Sequence, residues 1–129
     1  MQRKNRRPAP ESMLAAVLQA INDAVILKSA GGTITLWNRA AAELFGYTAP
    51  EVIGEKADII IPPGELRQWH ECEKRLRGGG VVRRVNAVRI AKDGVRIRVI
   101  LTAAVIDKRQ PAGSEIVEIY RASRATGPL

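Results

Sequence analysis

Cysteine and histidine each occur once in this 129-residue chain, as Cys72 and His70, and the aromatic set is two tryptophans, two tyrosines and one phenylalanine. One cysteine excludes an internal disulfide and fits a reducing compartment, on which we read the chain as cytoplasmic. No His/Cys/Asp group has metal-ligand spacing, so no metal site is expected. No nucleophile motif or phosphate-cradling glycine pattern is present either. Gly78-Gly79-Gly80 follows a helical stretch rather than a strand and lacks the lysine of a P-loop; it reads as a helix cap and linker. Glu71 and Glu73 lie on a charged helix without a paired partner for acid–base work. The expectation is a protein that is not an enzyme. No apolar run approaches the ~20 residues of a membrane span, and no signal-peptide pattern opens the chain, so no membrane partner is expected.

The charge is one-sided. Lys and Arg total 21 against 13 Asp and Glu, a formal net charge of +8. Four of these cations, Arg3, Lys4, Arg6 and Arg7, stand in the first nine residues, and the others alternate with apolar residues or lie on a helix surface. No recognition-helix, RNP or zinc-finger spacing accompanies them, and the aromatics are too few to stack bases. Nucleic acid is therefore not the expected partner; a solvated basic surface is.

What the chain does contain is regular punctuation. Residues 1–9 read as a disordered basic tail. From Pro10, which suits a first helical turn, Met13, Leu14, Val17, Leu18 and Ile21 recur at helical spacing and predict a flanking helix over 10–22. That stripe fits either a helix covering its own domain or a dimer contact. Asn22-Asp23 breaks it, and Ala24 to Leu27 reads as a first strand. Further on, Ala57 to Ile61 reads as helical or irregular, Gly64 to Arg77 as a longer helix, and Val81 to Ile90 as a strand. Asp93-Gly94 then tips a hairpin into a strand over Val95 to Ile106. Asp107 to Gly113 reads as a loop and Ser114 to Arg121 as the last strand. In the Val95 strand, Val95, Ile97, Val99 and Leu101 share one face, and Arg96, Arg98, Ile100 and Thr102 the other.

The most telling stretch is Gly31 to Gly54, GGTITLWNRAAAELFGYTAPEVIG. A Gly-Gly turn leads into the strand Thr33 to Trp37, whose alternation predicts Ile34 and Leu36 on one face and Trp37 with the threonines on the other. Asn38 is a suitable N-cap for a helix over Arg39 to Phe45, which Gly46 can stop in the left-handed conformation. Thr48 and Glu51 have capping-box spacing, so a second short helix starts there and ends near Gly54. The order of these signals resembles the N-terminal half of a PAS domain, with Gly32, Ile34, Trp37, Asn38, Ala40, Ala41, Leu44, Phe45, Gly46, Tyr47, Glu51 and Gly54 at the positions its pattern wants.

That resemblance implies an α+β PAS fold over residues 10–122: a five-stranded antiparallel sheet, helices packed on one face, an N-terminal flanking helix, and a tail at 123–129. It also implies a sensory or signalling module that senses a small ligand, dimerises, or does both, and that serves a signalling effector domain or protein. Leu36, Leu44, Phe45, Trp69, Val99 and Leu101 are its ligand-pocket candidates. Leu14, Val17, Leu18, Ile21 and Ile100 are its homodimer-surface candidates. Haem-binding members of the family place an axial ligand where His70 stands, which makes a haem-based gas or redox sensor one alternative. A helical wheel, however, turns His70 roughly 100° away from the arc of Leu66, Trp69, Cys72 and Leu76. The flavin-binding light sensors carry their cysteine in an N-C-R-F-L-Q motif that is absent here, so Cys72 reads as a small core residue, and no bound cofactor is the leading expectation over haem or flavin. The other alternative is a protein–protein interaction domain without ligand. Arg121-Ala122-Ser123-Arg124 stands where effector-linked members usually carry an acidic D-I-T-like motif, so the usual C-terminal lever is not expected.

Overall fold

The computed structural model describes residues 10–106 and 115–123. The expected basic tail at 1–9, the loop over 107–113 and the tail from 124 onward lie outside the described residues. Helix α1 (Pro10–Ala20) precedes strands β1 (Ala24–Lys28) and β2 (Ile34–Trp37). Helices α2 (Arg39–Phe45) and α3 (Ala49–Val52), single 3₁₀ turns at Ala57–Ile60 and Pro63–Glu65, and α4 (Leu66–Arg77) come next. Strands β3 (Val81–Ile90), β4 (Arg96–Val105) and β5 (Ile116–Ala122) complete the chain. The five strands form one antiparallel sheet in the order β2-β1-β5-β4-β3, so the N- and C-terminal strands pair in its centre. This is the predicted architecture, with α1 ending two residues earlier and the 57–61 stretch taking the 3₁₀ form.

The local signals act as their chemistry dictates. Asn38 Oδ1 accepts from Ala41 N at 2.9 Å and starts α2. Gly46 ends it at φ 82°, its N–H on the Ala42 carbonyl at 2.9 Å. That left-handed backbone favours glycine, which has no Cβ to strain it. Thr48 and Glu51 form the reciprocal capping box, Glu51 Oε1 accepting from Thr48 N at 2.7 Å.

The core lies between the sheet and α2, α3 and α4. Ile26, Ile34, Phe45, Val52, Ile60, Leu101, Ile116 and Tyr120 are fully buried within it. Each such side chain contributes ~1.5–3 kcal/mol relative to leaving it in water, which fixes the inward face of every strand. β4 follows the predicted alternation: Val99 and Leu101 are buried inward, while Ile100 and Thr102 face out. Val95 does not join them; it lies in the hairpin turn and is 57 % exposed.

β2 departs from its predicted alternation. Leu27 pairs with Leu36, yet Lys28 pairs with Ile34, so Thr35 is an extra residue, a β-bulge. The bulge turns both Ile34 and Trp37 into the core and leaves Leu36 outward beside Leu27. A strict period of two across a bulge reverses the face of everything beyond it. Leu36 is therefore removed from the candidate ligand pocket and Trp37 enters the core. There Trp37 meets Phe45 at 5.6 Å and Tyr47 edge-on at 6.4 Å, and donates its indole N–H to the Tyr47 carbonyl at 2.9 Å.

Candidate functional site

Beneath α4 the inward face of the sheet carries charge where an apolar strand would carry none. Lys28 on β1, Arg89 on β3 and Glu118 on β5 are each 2 % exposed or less. Their inward orientation follows from register: Lys28 opposes Ile116, Glu118 opposes Ile26 and Ala103, and Arg89 opposes Ile97. Lys28 Nζ pairs with Glu118 at 2.5 Å and also with Glu73 of α4. Tyr120 donates its hydroxyl to Glu118 Oε1 at 2.6 Å and accepts from Arg89 Nε at 3.3 Å. Arg89 Nη1 donates to the Val88 carbonyl at 2.9 Å. Trp69 of α4 lies under both cations, 5.3 Å from Lys28 Nζ and 5.1 Å from the Arg89 guanidinium.

These neighbours set the protonation states. Burial pushes the Tyr120 hydroxyl well above its ordinary range, and the Glu118 carboxylate beside it adds to the shift. Burial works against the charge of Arg89, but Tyr120, Glu118 and Glu65 outweigh it and raise its pKa, so the guanidinium stays charged. Burial also raises the Cys72 thiol, against the pull of nearby Arg75, which keeps it protonated and a poor nucleophile at neutral pH.

A cavity of 260 Å³ opens beside this cluster, lined by Trp69, Cys72, Val82, Ala87, Arg89 and Leu101, with Glu65, Gln68 and Arg75 also in its wall. Two buried donors on its lining side chains have no acceptor, Trp69 Nε1 and Arg89 Nη2. Buried donors are otherwise satisfied almost without exception, so two of them on side chains that line one cavity are unusual. A wider surface hollow of 680 Å³ between α2 and the end of β5 is larger, but it is an open groove without such donors.

The predicted pocket residues divide accordingly. Trp69 and Leu101 line the α4 cavity. Val99 lines a neighbouring hollow that shares Glu65, Asn86 and Ala87 with it. Phe45 is fully buried in the aromatic core, 5.4 Å from Tyr120, and Leu44 lines the open groove. His70 keeps the outward direction of the helical wheel; its side chain is 49 % exposed, with Nε2 3.2 Å from Asp58 Oδ1, in a separate hollow with Lys56 and Lys74. Lys28, Arg89, Glu118, Tyr120 and Glu73 were not among the sequence candidates. Parity places three of them inward: Lys28 falls two positions from Ile26, Arg89 from Ala87 and Glu118 from Ile116.

Of the dimer-surface candidates, Leu14 and Val17 are 60 % and 54 % exposed, while Leu18, Ile21 and Ile100 are half-buried. Asn38 holds the end of α1: its Nδ2 donates to the Leu18 and Asp23 carbonyls at 3.0 Å each, and its Oδ1 accepts from Val25 N at 2.9 Å.

The family model for the PAS fold matches residues 12–113. This chain belongs to the PAS family. Over 81 % of its length it is 30 % identical to a probable serine/threonine-protein kinase of Dictyostelium discoideum, of which it spans 7 %. It is 38 % identical over 52 % of its length to the sensor protein FixL of Bradyrhizobium diazoefficiens, of which it spans 13 %. The chain thus matches a small part of each of these curated relatives. The PAS domain of a protein from Colwellia psychrerythraea superposes with a TM-score of 0.80 at 18 % identity, covering 89 % of this chain and 98 % of that one. A PAS domain with a sensor protein among its relatives is a sensory signalling module. No helix among the described residues is long and apolar enough to cross a membrane.

Proposed function

We propose that this PAS domain senses a small ligand in the cavity between α4 and strands β3 and β4. The observation that carries this reading is the pair of acceptor-less buried donors, Trp69 Nε1 and Arg89 Nη2, on the lining of one cavity. A fold built only for stability satisfies such groups. At 260 Å³ the cavity falls below the ~300–1,000 Å³ of drug-sized ligand sites, so the ligand is small. The same site supports binding rather than catalysis: Glu73 and Glu118 are both engaged by Lys28, and the Cys72 thiol is held protonated. Occupancy biases the packing of α4 on the sheet, because Trp69 and Glu73 of α4 both touch the buried cations.

Haem does not fit this geometry. His70 faces solvent against Asp58 and is not in the wall of the α4 cavity, which is itself far smaller than a porphyrin needs. A flavin meets the same limit of volume, and Cys72 lies on α4 outside any light-sensor motif.

A second reading, an association module acting as a homodimer or against an effector domain, is favoured by the exposed Met13, Leu14 and Val17 on α1.

The test fills the cavity. Ala87→Phe places a ring in the space beside Trp69. In a thermal-shift screen of small organic molecules, at least one compound raises the Tm of the wild type and leaves the variant unmoved. If nothing moves the wild type, the association reading stands alone. The visible spectrum after adding hemin is the companion check, and a Soret band lost in His70→Ala would reverse the exclusion of haem.

A further inference from the structure

We infer that the ligand of this cavity carries a single carboxylate, received by the Arg89 guanidinium and the Trp69 indole N–H, with an apolar body against Val82, Ala87 and Leu101. This rests on the reading of the α4 cavity as the ligand site and adds the chemistry of what enters it.

Lys28 engages both buried carboxylates, Glu73 and Glu118. Arg89, only 2 % exposed, is left with a hydroxyl, that of Tyr120, and one main-chain carbonyl, that of Val88. Among the described residues no carboxylate is in salt-bridge contact with it. A buried cation normally has an anion in direct contact; Glu118 and Glu65 act on Arg89 through space, and neither occupies its Nη2 position. The guanidinium fork matches a carboxylate in two parallel hydrogen bonds, and it is the Nη2 end of that fork that stands empty. Trp69 Nε1, the second empty donor, belongs to the ring stacked on the same guanidinium.

The rest of the wall selects the body. Val82, Ala87 and Leu101 are apolar, and Cys72 is a protonated thiol. Arg75 at the wall adds positive potential, whereas Glu65, at the other end of α4 in the same wall, disfavours a second negative group. A monocarboxylate with a short hydrocarbon chain satisfies each of these surfaces.

The probes are straight-chain monocarboxylates from acetate to octanoate, each compared with its primary amide, which keeps the shape and removes the charge. Two readouts apply to the whole chain: Tm, and protection of Cys72 from alkylation by iodoacetamide. One acid in the series is expected to protect Cys72 at a concentration lower than its amide by on the order of tenfold, the scale of one charge-assisted hydrogen bond. Arg89→Gln, which keeps a donor toward Tyr120, is expected to abolish that preference. Where Arg89→Gln fails to fold, the acid-to-amide ratio in the wild type decides. Equal protection by acid and amide would overturn the carboxylate while leaving the cavity as a ligand site. If no member of either series protects Cys72 or raises the Tm, the carboxylate is overturned, and the cavity as a ligand site is decided by the wider thermal-shift screen.

Discussion

Tyr120 donates a hydrogen bond from its hydroxyl to Glu118 Oε1, 2.6 Å away on the same face of β5, with both side chains buried. The donor role requires the neutral phenol. Because the folded protein holds the Tyr120 pKa well above its ordinary value, the stabilisation is fully present below the unfolded tyrosine pKa of ~10 and is lost as pH rises past it. In Tyr47→Phe, where Tyr120 supplies the tyrosinate signal, that signal should emerge only together with loss of the far-UV circular dichroism. Tyrosinate formed while the sheet remains intact would show the Tyr120 hydroxyl to be accessible, against the structure.

Lys28 is the cation on which Glu73 and Glu118 converge, with its side chain 2 % exposed. Lys28→Met leaves two buried carboxylates facing one another. Removing one partner of such a group is expected to cost about 3–5 kcal/mol, read from the urea midpoint at neutral pH. Adding Glu73→Gln and Glu118→Gln to that variant should recover a large part of the loss, because the uncompensated charges are gone. A single-variant loss below about 1 kcal/mol would mean that Lys28 escapes to solvent.

Much of this molecule is legible from its sequence because its local signals are self-contained. Thr48 and Glu51 are three residues apart and bond to one another, so their capping box needs nothing from the rest of the fold. The inward parity of Ile97, Val99 and Leu101 likewise follows from alternation within one strand. The buried charges were illegible for the opposite reason. Lys28, Glu118 and Arg89 come from three strands far apart in sequence, and only the register of β1 on β5, β5 on β4 and β4 on β3 brings them under α4. The bulge at Thr35 was hidden too. Its consequence for Leu36 and Trp37 depends on the pairing with Leu27 and Lys28, not on composition.

Asn38 is fixed by sequence and tertiary contacts at once, and the two can be separated. Asn38→Asp keeps an oxygen for Ala41 N and Val25 N but removes the donor to the Leu18 and Asp23 carbonyls, setting a carboxylate oxygen against them. α2 should persist while the end of α1 loosens, with a loss on the order of 1–3 kcal/mol. Amide hydrogen exchange should accelerate across Val17 to Ile21 and stay slow in α2. Equal acceleration in both helices would show that the cap, rather than the tie to α1, was lost.

The exposed stripe of α1 asks for a partner. Met13, Leu14 and Val17 are 46–60 % exposed, on a helix tied to the domain chiefly at its C-terminal end by Asn38 and by Gln19, which accepts from Arg39 N at 2.9 Å. On the outer sheet face, Ile100, Thr102 and Ile119 floor a shallow hollow rimmed by Arg84, Asp23 and Arg121, and α1 supplies none of its lining. Two copies that exchange these surfaces would cover both. Light scattering of the wild type should then give twice the chain mass, and either Leu14→Asp or Ile100→Arg should bring it down to one folded chain. A charge at exposed Leu14 costs a monomer little, usually within about 0.5 kcal/mol, and at half-buried Ile100 somewhat more. A change of mass without a change of fold therefore isolates the interface. If both variants keep the oligomeric state of the wild type, α1 and Ile100 are not the dimer surface.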